Sequence, residues 1–285
     1  MNTPGSVTPP RRPSSQLRGG VGGGVNILFF GDIVGRPGRQ ALAQELPKLR
    51  QLYKADVVLA QMENLAHGKG VTKSTLLEVI DAGVDIGTGG NHTFSKPEVH
   101  EILAAEPNIM VRPANMDPLL PGQGKKTFQV GQNSVVVINL LGEFGMPFAP
   151  VESPFTAALR LVETVKPTDT VIVDFHAEAT SEKAAMGWLL DGRVSLIVGT
   201  HTHVPTADER ILPKGTGFIT DLGMVGLRDS SLGVDKDMAL QRFLTGKKVN
   251  FDIPEHGPVV ISGLAVTITK GRTTELKRFT HTTTV

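Results

Sequence analysis

From Val25 onward, short apolar runs alternate with amphipathic stretches, and five of the runs lead into side chains able to ligate a metal or move a proton. Residues 25–30 (VNILFF) precede Gly31-Asp32, residues 56–61 (DVVLAQ) precede Glu63-Asn64, and residues 84–87 precede Gly-Gly-Asn91-His92. Residues 170–175 are followed by His176, and residues 194–198 by Gly-Thr-His201-Thr-His203. Runs of this length bounded by Gly and Asp read as strands. Further strands are expected at 108–111, 127–130, 135–140, 217–220, 258–269 and 273–282. Helical spacing occupies 72–82, 96–105, 154–165 and 181–190, and another helix starts near Pro37, where proline suits the first turn. This alternation predicts an α/β fold, and the strand-rich last third predicts mixed rather than purely parallel sheets. In such sheets ligands bind beyond the carboxyl ends of the strands, where all five polar endings would meet.

Composition narrows the chemistry. The 285 residues include eight histidines and no cysteine, which excludes disulfides, thiolate metal sites and a cysteine nucleophile. Neither GxxxxGK[ST] nor GxGxxG occurs, so no phosphate loop of those kinds is present. The longest apolar run, 135–141, is far below the ~18 to 20 residues that cross a bilayer. Residues 1–24 hold six Gly and four Pro, with Arg11, Arg12 and Arg18 as their only charges, and are expected to form a disordered leader without a secretory h-region. Residues 25–285 are expected to be one cytoplasmic domain. Removing the three leader arginines from 29 basic residues leaves 26 against 28 acidic ones, so this body is slightly acidic. No strong nucleic-acid binding and no membrane partner are expected.

The sharpest signal is Gly199-Thr-His201-Thr-His203. On an extended segment, histidines at i and i+2 project to one side, and neutral imidazole is the commonest metal ligand. Gly89-Gly90 permits a backbone that turns Asn91 and His92 inward. Asp32 taken alone fits a helix cap or turn, and His176 taken alone fits a strand-end histidine. His67 and Lys69, in HGKG before a helix, can meet a phosphate or stay on the surface. His100, His256 and His281 are read as structural or solvated.

The ordered set of Gly31-Asp32, Glu63-Asn64, Gly-Gly-Asn91-His92, His176 and Gly-Thr-His201-Thr-His203 resembles the calcineurin-like metallophosphoesterases. GDIVGRPG at 31–38, ENLAHGKGVT at 63–72 and GTHTHVPTAD at 199–208 resemble the YmdB-like bacterial branch, over about residues 25–280. Against the broader superfamily, Val34 replaces a histidine, Glu63 replaces a bridging aspartate, and Thr93 stands where an acidic residue usually follows Asn-His. The first two departures match the branch. The resemblance implies a sandwich of two mixed β-sheets flanked by helices. It also implies two divalent or mixed-valence metal ions, iron or manganese. Asp32, Glu63 and His203 would hold the first, and Glu63, Asn91, His176 and His201 the second, with Asn64 adding a ligand or lining the site. His92 would be the catalytic proton donor.

The implied activity is a phosphodiesterase hydrolysing small cyclic nucleotides, notably 2′,3′-cyclic ones, by attack of metal-activated hydroxide. Phosphomonoesterase or protein phosphatase activity is the alternative within the same chemistry. A regulatory or RNA-contacting protein that keeps the site is the alternative outside it. The small phosphodiester is the expected partner, together with a second copy of the chain in a homo-oligomer.

Overall fold

The computed structural model describes residues 23–285. The predicted leader therefore lies, except for its last two residues, outside the described residues, and Gly24 already belongs to the first strand. In chain order the elements are β1 (Gly24–Ile33), α1 (Gly35–Leu52), β2 (Val57–Gln61), α2 (Lys73–Asp81), β3 (Ile86–Thr88), α3 (Glu98–Ala105) and β4 (Met110–Val111). They continue with β5 (Lys125–Val130), β6 (Asn133–Leu141), α4 (Pro154–Val162), β7 (Thr170–His176), α5 (Thr180–Leu190), β8 (Leu196–Thr200), β9 (Arg210–Ile211) and β10 (Gly217–Ile219). The last elements are β11 (Met224–Leu227), α6 (Lys236–Thr245), β12 (Pro258–Thr269) and β13 (Arg272–Thr284).

Two mixed sheets result, as expected. One has the order β13-β12-β11-β1-β2-β3-β4, the other β5-β6-β7-β8-β10-β9. Strands β1 to β4 run parallel, as do β6, β7, β8 and β10. Because side chains alternate along a strand, β1 feeds two cores at once. Ile27 and Phe29 face the second sheet and pack with Val135, Val137, Ile172, Leu196 and Val198. Leu28 and Phe30 face outward to Leu42 and Leu46 of α1 and Leu76 of α2. On the far side, Ile138, Val173 and Phe175 pack with Ala157 of α4 and Met186 and Leu190 of α5. The layers are thus α/β/β/α, which explains why the central strands read as nearly continuous apolar runs. Among the described residues no helix is long and apolar enough to cross a membrane.

Three elements were absent from the sequence expectation: β9, β11 and α6. Strand β11 has four residues, one of them Gly226, too few to show a period. Helix α6 buries only Ala239, so it lacks the apolar stripe that reveals helices. Its cap signals were nevertheless legible. Asp235 accepts the backbone N–H groups of Asp237 and Met238, and Gly246 closes the helix at φ 67°.

The segment between β10 and β11 crosses from the second sheet to the first. There β1 leaves β12 and pairs with β11 through Asp32 and Ile33. Gly31 is required at this point, since a Cβ would overlap the Gly223 carbonyl, which accepts the Asp32 N–H at 3.0 Å.

Candidate metal centre

The polar endings of five strands converge where the two sheets meet. Asp32 is the last but one residue of β1, Glu63 and Asn64 follow β2, Asn91 and His92 follow β3, His176 ends β7, and His201 and His203 follow β8. Asp32 and His176 are 0% exposed and Glu63 is 1% exposed. Burial of two carboxylates is unfavourable unless cationic charge accompanies them.

The side chains fall into two groups. Around His176 Nε2 lie Glu63 Oε1 at 3.1 Å, Asn91 Oδ1 at 3.0 Å and His201 Nδ1 at 3.1 Å. Glu63, His176 and His201 bring one ligand-capable atom each to within 4.8 Å of one another. Around His203 Nε2 lie Asn64 Nδ2 at 3.1 Å and Asp32 Oδ1 at 3.7 Å. Asp32 Oδ2 reaches the first group by accepting the His201 N–H at 3.1 Å. Asn64 also presents its amide nitrogen to Asp32 Oδ1 at 3.3 Å, so its oxygen would have to turn inward before it could act as a ligand.

Further contacts orient the rings. The Thr200 hydroxyl donates to Asp174 Oδ1 at 2.8 Å and sits 2.9 Å from His176 Nδ1, which leaves Nε2 pointed at the cluster. His203 Nδ1 donates to the Leu232 carbonyl at 2.9 Å, with the same effect on its Nε2. Gly90 must lack a side chain, because a Cβ would overlap the His176 ring and the Glu63 carboxylate. Glu63 Oε2 also accepts the His92 N–H at 2.6 Å, which ties the Asn91-His92 turn to the cluster.

One expectation about the local backbone is overturned. Residues 201–203 form a turn rather than an extended segment, and His201 and His203 adopt φ values of 104° and 65°. They reach the site through left-handed backbone, a conformation uncommon outside glycine.

Electrostatics follow from the crowding. Burial alone would lower His176, but Glu63, Asp32 and Asp174 outweigh it and raise the imidazole to about 9. Burial and the neighbouring His176 push His201 down to about 4. Burial would raise Asp32, yet His203 and His176 hold it well below the usual carboxylate range. Burial lowers His92, partly opposed by Glu63. The carboxylates thus favour the protonated form of His176, whereas burial disfavours that of His201. A set of carboxylates, imidazoles and an amide oxygen, buried together and without thiolate, suits divalent transition metals.

His67 is exposed, His100 packs on Phe94, and His281 approaches Glu45 at 3.4 Å. Sequence reasoning missed Gln61, whose Oε1 accepts the Glu63 N–H at 2.8 Å and whose Nε2 lies 3.0 Å from His176 Nδ1. It also missed Thr200, Asp174, Lys183 and Asp221, which carry no local signal in the chain.

Known proteins resemble this chain over most of its length. The 2′,3′-cyclic-nucleotide 2′-phosphodiesterase of Bacillus subtilis (strain 168) is 45% identical over 245 residues, covering 86% of this chain and 91% of the relative. The crystal structure of a hypothetical protein from Thermus thermophilus superposes with a TM-score of 0.85 at 37% identity, covering 90% of this chain and 99% of that one. A crystal structure of a novel phosphatase from Mycoplasma pneumoniae gives a TM-score of 0.85 at 33% identity, covering 91% and 94%. The family model described as YmdB-like protein matches residues 28–279, a span that contains every strand ending of the cluster, and the chain belongs to that family.

Proposed function

We propose that this chain is a metal-dependent phosphodiesterase that opens small cyclic nucleotides, 2′,3′-cyclic nucleoside monophosphates first among them. The observation that carries this reading is the meeting of Asp32, Glu63, Asn64, Asn91, His176, His201 and His203 in one cluster drawn from both sheets. The activity printed for the Bacillus subtilis relative supports the substrate class.

Asp32, Glu63 and His203 would hold one ion and Glu63, Asn91, His176 and His201 a second, with Asn64 adding a ligand once its amide is turned or else lining the site; iron and manganese suit the oxygen and imidazole donors. Divalent ions bound there would draw charge from the phosphoryl oxygens and acidify water at neutral pH. Thr200 and Leu232 hold the His176 and His203 rings with Nε2 turned inward. Glu63 fixes the His92 backbone beside the cluster.

In the cyclic diester, water adds to phosphorus, the bond to the ribose 2′ oxygen breaks, and that oxygen takes a proton. His92 supplies the proton, a contribution typically worth ~10² to 10⁴ in rate.

A phosphomonoesterase is the second reading, favoured by the description of the Mycoplasma pneumoniae structure. Rates on a 2′,3′-cyclic nucleotide and on the matching 3′-monophosphate separate the two. Hydrolysis that stops at the monophosphate supports the diesterase; faster release of inorganic phosphate from the monoester overturns it.

A further inference from the structure

Lys183 and Asp221 form an ion pair that the proposed reaction does not use. Lys183 Nζ lies 2.7 Å from Asp221 Oδ2, and both side chains are 1% exposed. Taking both charges out of water is costly, and well-packed apolar residues in place of a buried pair often leave stability unchanged or improve it. Stability is therefore a weak reason for its presence, and its remaining contacts point to another.

Lys183 stands on α5, and Asp221 lies on the segment that crosses from β10 to β11. Besides the lysine, Asp221 Oδ2 accepts the Thr202 N–H at 3.1 Å, and Oδ1 accepts the Gly223 N–H at 2.8 Å. Thr202 is the residue between His201 and His203, whose backbones are both left-handed. Gly223 in turn offers its carbonyl to the Asp32 N–H at 3.0 Å. One carboxylate thus ties together the turn that carries two imidazoles and the segment that carries Asp32. The Leu222 N–H closes the crossing by donating to the Gly199 carbonyl at 2.9 Å.

We propose that the Asp221–Lys183 pair is a positioning device that holds the His201-Thr202-His203 turn in its left-handed, metal-binding conformation. Asp221 touches no substrate and acts through the backbone N–H of Thr202, while the Lys183 ammonium 2.7 Å away is its counter-charge. The proposal rests on reading His201 and His203 as metal ligands.

The test compares metal-stripped wild type with Asp221→Asn and with the double variant Lys183→Met/Asp221→Asn. The double variant leaves no charge stranded in the interior, so it separates positioning from folding. Cobalt(II) affinity is measured by competition with a chelating dye, the cobalt d–d spectrum is recorded, and Tm is taken without metal. The expected result is cobalt binding weaker by ~10- to 100-fold in both variants with an altered spectrum, and a metal-free Tm close to wild type for the double variant. Wild-type affinity and spectrum in the double variant overturn the proposal, whether its Tm is kept or lowered. Failure of wild type itself to bind cobalt overturns instead the reading of the histidines as ligands.

Discussion

Glu63 follows a strand of one sheet and His176 ends a strand of the other, yet Glu63 Oε1 lies 3.1 Å from His176 Nε2 with both side chains buried. The contact marks the seam of the sandwich, and it explains why the imidazole is pushed up to about 9 despite its burial. Without metal, the negative charge of the carboxylate favours a protonated ring. Glu63→Gln removes that charge, and breaking a buried pair typically costs ~3 to 5 kcal/mol. Denaturant unfolding in excess chelator measures this, and metal analysis of the purified variant is expected to find strongly reduced content. Unchanged stability and content contradict the role given to Glu63.

Gly90 sets the spacing of the cluster. Its backbone does not need glycine's left-handed freedom, but an added methyl would overlap His176 and Glu63. Gly90→Ala is expected to cost ~1 to 3 kcal/mol through overpacking and to lower metal affinity, because both displaced groups face the cluster. Calorimetric metal titration checks it. Wild-type affinity in this variant shows that the pair can shift without consequence.

His92 is assigned the proton, so its removal is expected to depend on the leaving group. For His92→Ala the metal content stays at the wild-type level, while turnover of a cyclic nucleotide falls by ~10² to 10⁴. A p-nitrophenyl diester, whose leaving oxygen needs no proton, loses far less. Equal losses on both substrates remove His92 from the acid role.

Glu45 links α1 to the C-terminal strand and provides a pH test remote from the cluster. Its carboxylate lies 3.0 Å from Lys48 Nζ and 3.4 Å from His281 Nε2, and the Lys48 hydrogen bond, with His281, holds its pKa below the ordinary 4.5. A carboxyl depressed in the folded state stabilises above its unfolded pKa, and that contribution is lost as pH falls through the folded value. Lys48 is largely exposed and His281 half-buried, so the effect is at most about 1 kcal/mol. The stability gap between wild type and Glu45→Gln is expected at pH 7 and vanishes as pH drops well below 4.5. A gap that persists at low pH contradicts the assignment.

Much of this was legible in the chain. The run VNILFF became β1 because residues of both parities are apolar, and residues 258–269 form β12 with the predicted bounds. The seven ligand candidates were readable because each follows an apolar strand, and a parallel sheet gathers such endings at one edge. The backbone of residues 201–203 was not readable. Its left-handed turn is maintained by Asp32 and Asp221, which are distant in sequence, and no local pattern encodes a hydrogen bond to Thr202. Strand β11 was hidden for a related reason, since its pairing with β1 and β12 comes from the crossing segment rather than from its own four residues.

The proposed function requires that one buried cluster of carboxylate, amide and imidazole binds metal and thereby hydrolyses a cyclic phosphodiester. The most direct measurement is metal content per chain alongside turnover of a 2′,3′-cyclic nucleotide, taken before chelation, after chelation and after return of manganese or iron(II). The predicted result is about two metals per chain, loss of turnover on chelation and its recovery on metal return. Full turnover by metal-free protein, or none by the fully loaded protein, would contradict it.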